Sequence, residues 1–433
     1  MRPSLSRQLE LFKRSPSFGL LFLASFGSGL GTWLAFVALT VDVFDRTHSG
    51  PWVSALLIAD FLPVIAIGLL FGPLLDRLSR RGLMVAADLA RFGVFCALPF
   101  ATSATQIVAL AAAAGFATGF FRPAVYAGLP NLVPDGDLPR ANSLLQTIEN
   151  VTTTAGPLVG GILVSVSSPD TAYWLNAVTF VVSALLVLRI PARLLQVRAA
   201  PSRGHLRDLT AGFDLVRRSR PLLTVLVAWN VAMLANAGVN VAEVVLAKVS
   251  FHAGDFGFGL LVATAGLGLA LGSLAAGPLL ERRPTREVYG GSLALMAIGA
   301  GLTAISPNVW VAAVCVVVSG FGNGSTVVCN ALLVQRGAPD ELRGRAFTVL
   351  MSSTSVTLGA GMIAAGILTN ALGARWVWGI AAGILAVAAS LGVALARGVE
   401  VMRERAEVPE WPVRPGVEPF SLDAAGRAET ARL

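Results

Sequence analysis

Twelve long apolar runs, separated by short polar segments, set the fold that this sequence can adopt. Only 13% of the 433 residues are charged, and the mean hydropathy is +0.71. Each run approaches or exceeds the roughly 20 residues that a helix needs to cross a bilayer, and a helix satisfies its own backbone hydrogen bonds in lipid. The sequence therefore predicts an all-α polytopic membrane protein with twelve transmembrane helices. The runs are residues 17–43, 52–75, 83–102, 106–130, 141–167, 172–190, 221–248, 257–281, 288–306, 309–335, 345–370 and 374–397.

The two halves of the chain repeat each other at an offset of 205 residues. Residues 72–82 read GPLLDRLSRRG and residues 277–287 read GPLLERRPTRE, and the same gapless register extends to Gly161 and Gly366. A chance match between apolar segments does not keep one register at Gly, Pro, Asp and Arg. The offset therefore indicates an internal duplication, and we expect two pseudo-symmetric six-helix bundles.

The repeat divides the chain into five parts, which are listed here with their expected character. They are a cytoplasmic N-terminus (1–16), an N-terminal six-helix bundle (17–190), a cytoplasmic linker (191–220), a C-terminal six-helix bundle (221–397) and a disordered cytoplasmic tail (398–433). Within the linker, apolar residues at spacings of three and four indicate a short amphipathic helix on the membrane surface, although a merely solvated linker is the alternative. Those residues are Leu206, Leu209, Phe213 and Val216.

Basic residues set the predicted orientation in the membrane. Of the 33 Lys and Arg, all but Arg46, Arg91, Lys248 and Arg375 fall on one side of the predicted helices. Cytoplasmic loops carry the excess of positive charge, so both termini are predicted to be cytoplasmic, in the cell membrane. The same bias accounts for the pI of about 10.3, and nucleic-acid binding is not expected.

The charged loop that follows helix 2 resembles the signature loop of the major facilitator superfamily. Residues 72–81 carry its Gly, Asp-Arg and Arg-Arg, although Ser79 replaces a signature glycine, and residues 277–286 resemble its degenerate second copy. Stretches in helices 3, 4 and 5 also resemble the twelve-helix efflux branch that includes siderophore and drug exporters. The resemblance implies alternating access around a central cavity lined by helices 1, 4, 7 and 10.

We call the charged residues near this loop the cytoplasmic clasp. Its carboxylate can cap a helix and its arginines can pair with acids on neighbouring helices, which predicts a latch between two packings of the bundle. The alternative is that the arginines only set topology. Asp88 and Arg91, three residues apart on helix 3, are expected to pair with each other or with the rest of the clasp. The clasp comprises Gly72, Asp76, Arg77, Arg80, Arg81, Asp88, Arg91 and Arg122.

Helix 5 contains a run of small residues, Gly156-Pro157-Leu158-Val159-Gly160-Gly161. It resembles the Gly-Pro-x-x-Gly-Gly motif of antiporters, although Thr152 stands where that motif has an earlier glycine. Gly-Pro kinks a helix, and paired glycines allow close helix approach. The motif favours antiport, and ordinary tight packing is the alternative.

Three carboxylates within the predicted helices are candidates for proton coupling. An acidic residue in the bilayer is costly and is by default a functional candidate. Asp60 and Glu149 are expected to be the deepest, whereas Glu243 is expected near the outer water. A structural hydrogen bond is the alternative role for Asp60 and Glu149. By contrast, Asp42 and Asp45, at the outer edge, are expected to be simply solvated.

Cavity-lining candidates lie on helices 1 and 7. Trp33 is near the middle of helix 1, and Asn236, Asn240 and Glu243 share one face of helix 7. An aromatic wall beside a few polar groups suits an apolar or cationic small-molecule substrate.

The energy source is expected to be an ion gradient, with the proton as the coupling ion. Neither Lys13 nor Lys248, the two lysines, follows a glycine, so no phosphate-binding P-loop is present. The scattered Cys and His residues indicate no metal or cofactor site, and no enzymatic motif occurs in the helices. We therefore expect a monomeric, proton-coupled exporter of a small amphipathic compound. A lipid or lysophospholipid flippase on the same scaffold, and a membrane sensor that transports nothing, are the alternatives.

Overall fold

The protein is an all-helical bundle in the computed structural model, which describes residues 11–70, 78–195, 215–217, 219–338 and 340–396. Within these residues there are twelve long helices, joined by short connections except between the sixth and the seventh. They are α1 (Pro16–Thr47), α2 (Gly50–Leu70), α3 (Arg80–Ala97), α4 (Ala104–Gly128), α5 (Leu138–Val166), α6 (Pro169–Leu188), α7 (Arg220–Ser250), α8 (Gly254–Arg282), α9 (Thr285–Ile305), α10 (Val309–Gly337), α11 (Asp340–Leu372) and α12 (Ala374–Leu395).

Side-chain caps fix the start of several helices at the positions where the chain leaves a loop. Ser103 Oγ accepts a hydrogen bond from the Gln106 backbone N–H, and the Gln106 side chain accepts from the Ser103 N–H, which together form a capping box for α4. Asn308 Oδ1 accepts from two backbone N–H groups in the first turn of α10, at 3.0 and 3.1 Å. Because these caps satisfy donors that the helix leaves unpaired, they set the helix boundaries.

Ten helical segments of the described chain are long and apolar enough to cross a membrane. The two helices outside this set are α2, whose apolar segment is the shorter Gly50–Val64, and α5, whose centre reads TIENVTTT. The polar centre of α5 lowers its mean hydropathy below that of a lipid-facing span. The polytopic membrane fold agrees with the sequence, while the number of twelve spans stays a prediction.

The 205-residue repeat reappears in the helix boundaries. Three pairs of helices begin at positions separated by that offset, which are Arg80 and Thr285, Ala104 and Val309, and Pro169 and Ala374. The remaining pairs begin within three residues of it. One difference is local: α7 contains π-helical turns at Val225–Trp229 and Leu246–Ser250, whereas α1 is α-helical throughout.

Helix packing also repeats between the halves. In the first half α1 packs on α5 and α6, α2 on α4, and α3 on α4 and α6. In the second half α7 packs on α11 and α12, α8 on α10, and α9 on α10 and α12. The main contacts between the halves are α2 with α11 and α5 with α8. The repeat relates α2 to α8 and α5 to α11, so it converts one of these contacts into the other. This is the pattern of two related bundles facing each other, and the domain limits at 190 and 221 stay a prediction.

Exposed aromatic residues mark one end of the bundle. Trp174, Trp310 and Trp376 are exposed and lie within the first two turns of α6, α10 and α12. Tryptophan is enriched where a membrane meets water. These residues therefore place a membrane–water boundary at this end, which the charge pattern predicts to be the outer one.

The two halves are joined by hydrogen bonds at the same end. Ser54 Oγ donates to the Met362 carbonyl at 2.7 Å, and the Gly50 N–H donates to Asn370 Oδ1 at 2.8 Å. The start of α2 is thus held against the end of α11.

Several sequence expectations lie outside the described residues. They are the disordered tail, most of the linker helix (Leu206, Leu209 and Phe213), and the clasp residues Gly72, Asp76 and Arg77. Of the linker helix, only residues 215–217 are described; they are helical, and Val216 is buried.

Candidate functional site

A cavity of about 310 Å³ lies within the first half. All of the described residues that line it belong to α1–α6. Our expectation of a cavity lined by helices 1, 4, 7 and 10 is therefore wrong for this cavity, since α1 and α4 contribute but α7 and α10 do not. Asn236 and Asn240, proposed as lining residues, are half-buried on α7 and do not line this cavity. The repeat alone does not say which half carries the cavity.

Seven aromatic residues contribute to the cavity wall. Trp33, predicted from the sequence to line a cavity, is among them, and its ring meets that of Phe36 edge-on at 5.5 Å between centroids. Such a wall suits a ligand with a large apolar or aromatic body. The aromatic lining residues are Trp33, Phe36, Phe61, Phe95, Phe121, Tyr126 and Phe180.

Asp60 lies in this wall. Among the described residues, no hydrogen bond or ion pair involves its side chain. Its backbone is fixed, because a Cβ at Gly115 of α4 would lie 2.3 Å from the Asp60 carbonyl oxygen, which shows how closely α2 and α4 pack there. The structure thus presents an unpaired carboxyl group to the cavity from a rigid backbone.

Glu149 also lies in the wall, but it is paired. Arg122 Nη2 donates to Glu149 Oε1 at 2.6 Å, and the Tyr126 hydroxyl donates to the same oxygen at 2.9 Å. The side chains of Arg122 and Glu149 are 58% and 33% exposed. Glu149 is therefore less deep than the sequence suggested, and Arg122, which we placed in the clasp, pairs across the cavity wall instead.

Asp88 and Arg91 form the buried ion pair that their spacing predicted. Arg91 Nη2 donates to Asp88 Oδ1 at 2.5 Å, and Ser183 Oγ donates to Asp88 Oδ2 at 2.7 Å. The Arg91 guanidinium lies over the rings of Phe121 and Phe180, at 4.5 and 4.3 Å from their centroids. This cluster ties α3 to α4 and α6 at the cavity wall.

Asp88→Ala is expected to destabilise the protein by about 3–5 kcal/mol, because it leaves the buried Arg91 without its counterion. Thermal unfolding in detergent measures the change. The matched control is the double variant Asp88→Leu with Arg91→Met, which installs the second-half residues Leu293 and Met296 and is expected to recover most of the loss. A single variant as stable as the parent would contradict this role.

Glu243 is more buried than the sequence suggested. It is 6% exposed, and its Oε1 has no hydrogen-bond partner among the residues that the structure describes. Ala237 of α7 faces Gly361 of α11, and Gly238 faces Val377 of α12. At about 100° per residue, Glu243 therefore lies on the side of α7 away from both neighbours. The packing of α7 among other helices, which a sequence does not reveal, buries it.

The antiporter-like motif lies where α5 meets two partners. A Cβ at Gly156 would lie 2.5 Å from Trp33 Cβ, and one at Gly160 would lie 2.7 Å from the Leu34 carbonyl oxygen of α1. A Cβ at Gly161 would lie 2.8 Å from the Cα of Gly259, in the other half. Pro157 belongs to the same contact, through its carbonyl oxygen near Gly259. The motif therefore allows the backbones of the two halves to touch.

Gly161→Val is expected to lower transport at least about tenfold with normal expression, since the added side chain prevents the two backbones from closing. Initial rates in vesicles, normalised to protein amount, provide the measurement. Gly359→Val is the matched control, because a Cβ there meets nothing within 4 Å. Equal rates for the two variants would show that this contact does not limit the cycle.

Charged residues at the outer edge form ion pairs. The expectation of simple solvation is wrong for Asp42, which is buried, whereas Asp45 is exposed as expected and also paired. Asp42 is buried, and it accepts hydrogen bonds from Arg46 at 2.6 Å and from the Tyr173 hydroxyl at 3.0 Å. Asp45 pairs across the interface with Lys248 of α7 at 2.5 Å. Lys248 also pairs with Asp255 of α8 at 2.6 Å, so one ammonium group joins the two halves.

The described part of the clasp is not one cluster. Arg80 begins α3, and Arg81 Nη2 donates to the Leu188 carbonyl at the end of α6, at 2.5 Å. These contacts stay within the first half.

The charges around the cavity have no charged counterparts in the second half. At the 205-residue offset, the five positions carry Ala, Leu, Met, Val and Thr. This asymmetry was visible in the sequence, and it is the signal that could have assigned the cavity to the first half. The pairs are Asp60 and Ala265, Asp88 and Leu293, Arg91 and Met296, Arg122 and Val327, and Glu149 and Thr354.

Comparison with known proteins agrees with this architecture. Residues 12–418 match the family described as transmembrane secretion effector. The chain is 27% identical to the multidrug efflux pump Tap of Mycolicibacterium fortuitum, over 83% of this chain and 91% of that protein. It is 28% identical to the enterobactin exporter EntS of Salmonella typhimurium, over 79% and 83%. It is 25% identical to an uncharacterized MFS-type transporter, YfiS, of Bacillus subtilis, over 84% and 89%.

Solved structures show the same fold at low sequence identity. A bacterial homologue of the iron transporter ferroportin in an inward-facing state superimposes with a TM-score of 0.71 at 14% identity, covering 91% of this chain and 99% of that one. The nucleoside transporter NupG superimposes with a TM-score of 0.72 at 15% identity, covering 88% and 98%. The chain belongs to the transmembrane secretion effector family, within the efflux branch of the major facilitator superfamily, and is a multi-pass membrane transporter.

Proposed function

We propose that the protein is a proton-coupled antiporter that exports a small amphipathic compound from the cytoplasm by alternating access. The observation that carries the proposal is the aromatic cavity of the first half, into which the unpaired carboxyl group of Asp60 faces. The efflux pump and the exporter among the relatives support the direction of transport.

The arrangement of the halves supports an inward-facing state. The contacts of Lys248, Ser54 and Gly161 between the halves all lie toward one end of the bundle. The distribution of basic residues predicts that this end is outside the cell. Closure at that end leaves the cytoplasmic side open for substrate entry. In this proposal the protein acts as a monomer in the cell membrane, with both termini in the cytoplasm.

Asp60 is our first candidate for the coupling residue, because it faces the cavity and has no partner in the part of the chain that the structure describes. A substrate that donates a hydrogen bond to the Asp60 carboxylate, or places a positive charge beside it, displaces the proton bound to Asp60. Substrate and proton therefore occupy the site in turn. Glu149 and Glu243 are the second and third candidates. Glu149 already accepts two hydrogen bonds, and Glu243 is closed off from the cavity.

The test is a substrate screen in inverted membrane vesicles with an imposed pH gradient, acidic inside. A panel of aromatic dyes of positive, negative and zero charge supplies the probes. We expect at least one dye to accumulate, and collapse of the gradient to stop its accumulation. Transfer of a labelled lysophospholipid with no accumulation of any dye would instead support the flippase, and binding without movement would support the sensor.

A further inference from the structure

We infer that the guanidinium group of Arg122 binds an anionic oxygen of the substrate, a carboxylate or an ionised phenol, and that Glu149 takes this position when the cavity is empty. The inference rests on the proposed function for the role of the cavity as a substrate site. It assigns Glu149 a task other than proton coupling.

Arg122 has unused hydrogen-bonding capacity in the cavity wall. Its side chain is 58% exposed, and its contact with Glu149 involves a single nitrogen, Nη2. No described residue accepts a hydrogen bond from its Nε or Nη1. A guanidinium group presents five N–H donors in a planar fork that matches a carboxylate in two parallel hydrogen bonds. An anionic ligand can therefore form a better pair with Arg122 than Glu149 does.

The other arginine of the cavity is not available to a ligand. Arg91 is held by Asp88, its side chain is 5% exposed, and the rings of Phe121 and Phe180 cover its guanidinium group. The two arginines thus differ in role, with Arg91 part of the scaffold and Arg122 facing the open space.

The pair that Arg122 makes with Glu149 is easily exchanged. Both side chains are partly exposed, and ion pairs of this kind contribute little to stability. The Tyr126 hydroxyl donates to the same oxygen as Arg122 does, at 2.9 Å. Arg122 and Tyr126 therefore form a two-donor site for one oxygen, which the Glu149 carboxylate fills as an internal substitute for a ligand.

Asp60 does not occupy the same region as Arg122. Gly115 of α4 packs on the Asp60 carbonyl, and Arg122 lies seven residues further along α4, which corresponds to roughly 10 Å at a rise of about 1.5 Å per residue. Aromatic rings line the cavity to which both residues belong. The cavity thus suits an aromatic ligand with an anionic oxygen at one end and a hydrogen-bond donor at the other.

The experiment compares 6-hydroxy-2-naphthoate with its neutral amide, 6-hydroxy-2-naphthamide, by calorimetric binding to the purified full-length protein. We expect the acid to bind about tenfold more tightly than the amide. Arg122→Gln is expected to abolish this preference, and Arg122→Lys to keep part of it. Glu149→Gln is expected to tighten binding of the acid severalfold, because the internal competitor is lost, and to leave the amide unchanged.

Arg140→Gln is the matched control, since Arg140 pairs with Asp137 at 2.9 Å and does not line the cavity; it is expected to keep the preference. Equal affinities for acid and amide, undetectable binding of the acid to the parent, or weaker binding of the acid to Glu149→Gln would overturn the inference. If Arg122→Gln does not fold, the parent comparison and Arg122→Lys still decide. The binding experiment uses no pH gradient, so its outcome is independent of the vesicle screen. If a dye accumulates in the screen but the acid is not preferred in the binding experiment, only this inference fails. If the acid is preferred but no dye accumulates, only the proposed function fails.

Discussion

Asp60→Asn is expected to abolish accumulation driven by a pH gradient while downhill flux of the same compound stays measurable. The amide matches the carboxyl group in shape, but it does not exchange a proton, so the variant loses the coupling step and keeps the cavity. Uptake of the dye identified in the screen, in inverted vesicles with and without the gradient, measures both quantities. Substrate affinity is expected to change by less than the accumulation ratio does.

Asp170→Asn is the control for this variant, because Asp170 is an exposed carboxyl group at the start of α6 and does not line the cavity. It is expected to accumulate the dye normally. Uphill transport by Asp60→Asn at the parental level would exclude Asp60 as the coupling residue. Glu149→Gln and Glu243→Gln would then be compared in the same assay.

Lys248→Glu is expected to reduce transport at least about tenfold and to open the outer end of the bundle. The change replaces one bridging ammonium group by a third carboxylate beside Asp45 and Asp255, and like charges in contact repel. If the closed state loses about 1.4 kcal/mol of stability relative to the open state, the ratio of closed to open molecules falls tenfold. Labelling of Ser54→Cys by a membrane-impermeant maleimide from outside reports the opening, since Ser54 is 3% exposed in the closed interface.

Two further variants separate a gate from a general structural role at Lys248. Exchange of the charges, Lys248→Asp with Asp45→Lys, is expected to restore part of the transport and to reduce the labelling. Arg46→Gln removes an outer ion pair that lies within one half, and it is expected to leave the labelling unchanged. Unaltered labelling in Lys248→Glu would show that this bridge does not hold the outer end closed.

Local sequence pattern predicted the helices and their repeat because both depend on short-range properties. The apolar runs are long enough to identify helices without tertiary information, and the 205-residue register survives in helix starts such as Arg80 and Thr285. The pair of Asp88 with Arg91 followed for the same reason, since residues three apart on a helix are neighbours.

The candidate site was less predictable, because its contacts join residues far apart in the chain. Nothing local distinguishes Glu149, which pairs with Arg122 on another helix, from Asp60, which pairs with no described residue. The depth of Glu243 depends on tertiary packing, and the bridge of Lys248 with Asp45 depends on how the two halves meet. A single sequence does not contain that arrangement, although the uncharged second-half counterparts did indicate which half holds the cavity.

Proton release during export is the most direct test of the account. Purified protein is reconstituted in liposomes with an acidic lumen, a pH-sensitive dye reports the gradient, and the accumulating compound is added outside. We predict that the compound dissipates the gradient, and that Asp60→Asn abolishes the dissipation in liposomes with the same protein content. Accumulation of the compound in the lumen with no change in the pH gradient would contradict proton-coupled antiport.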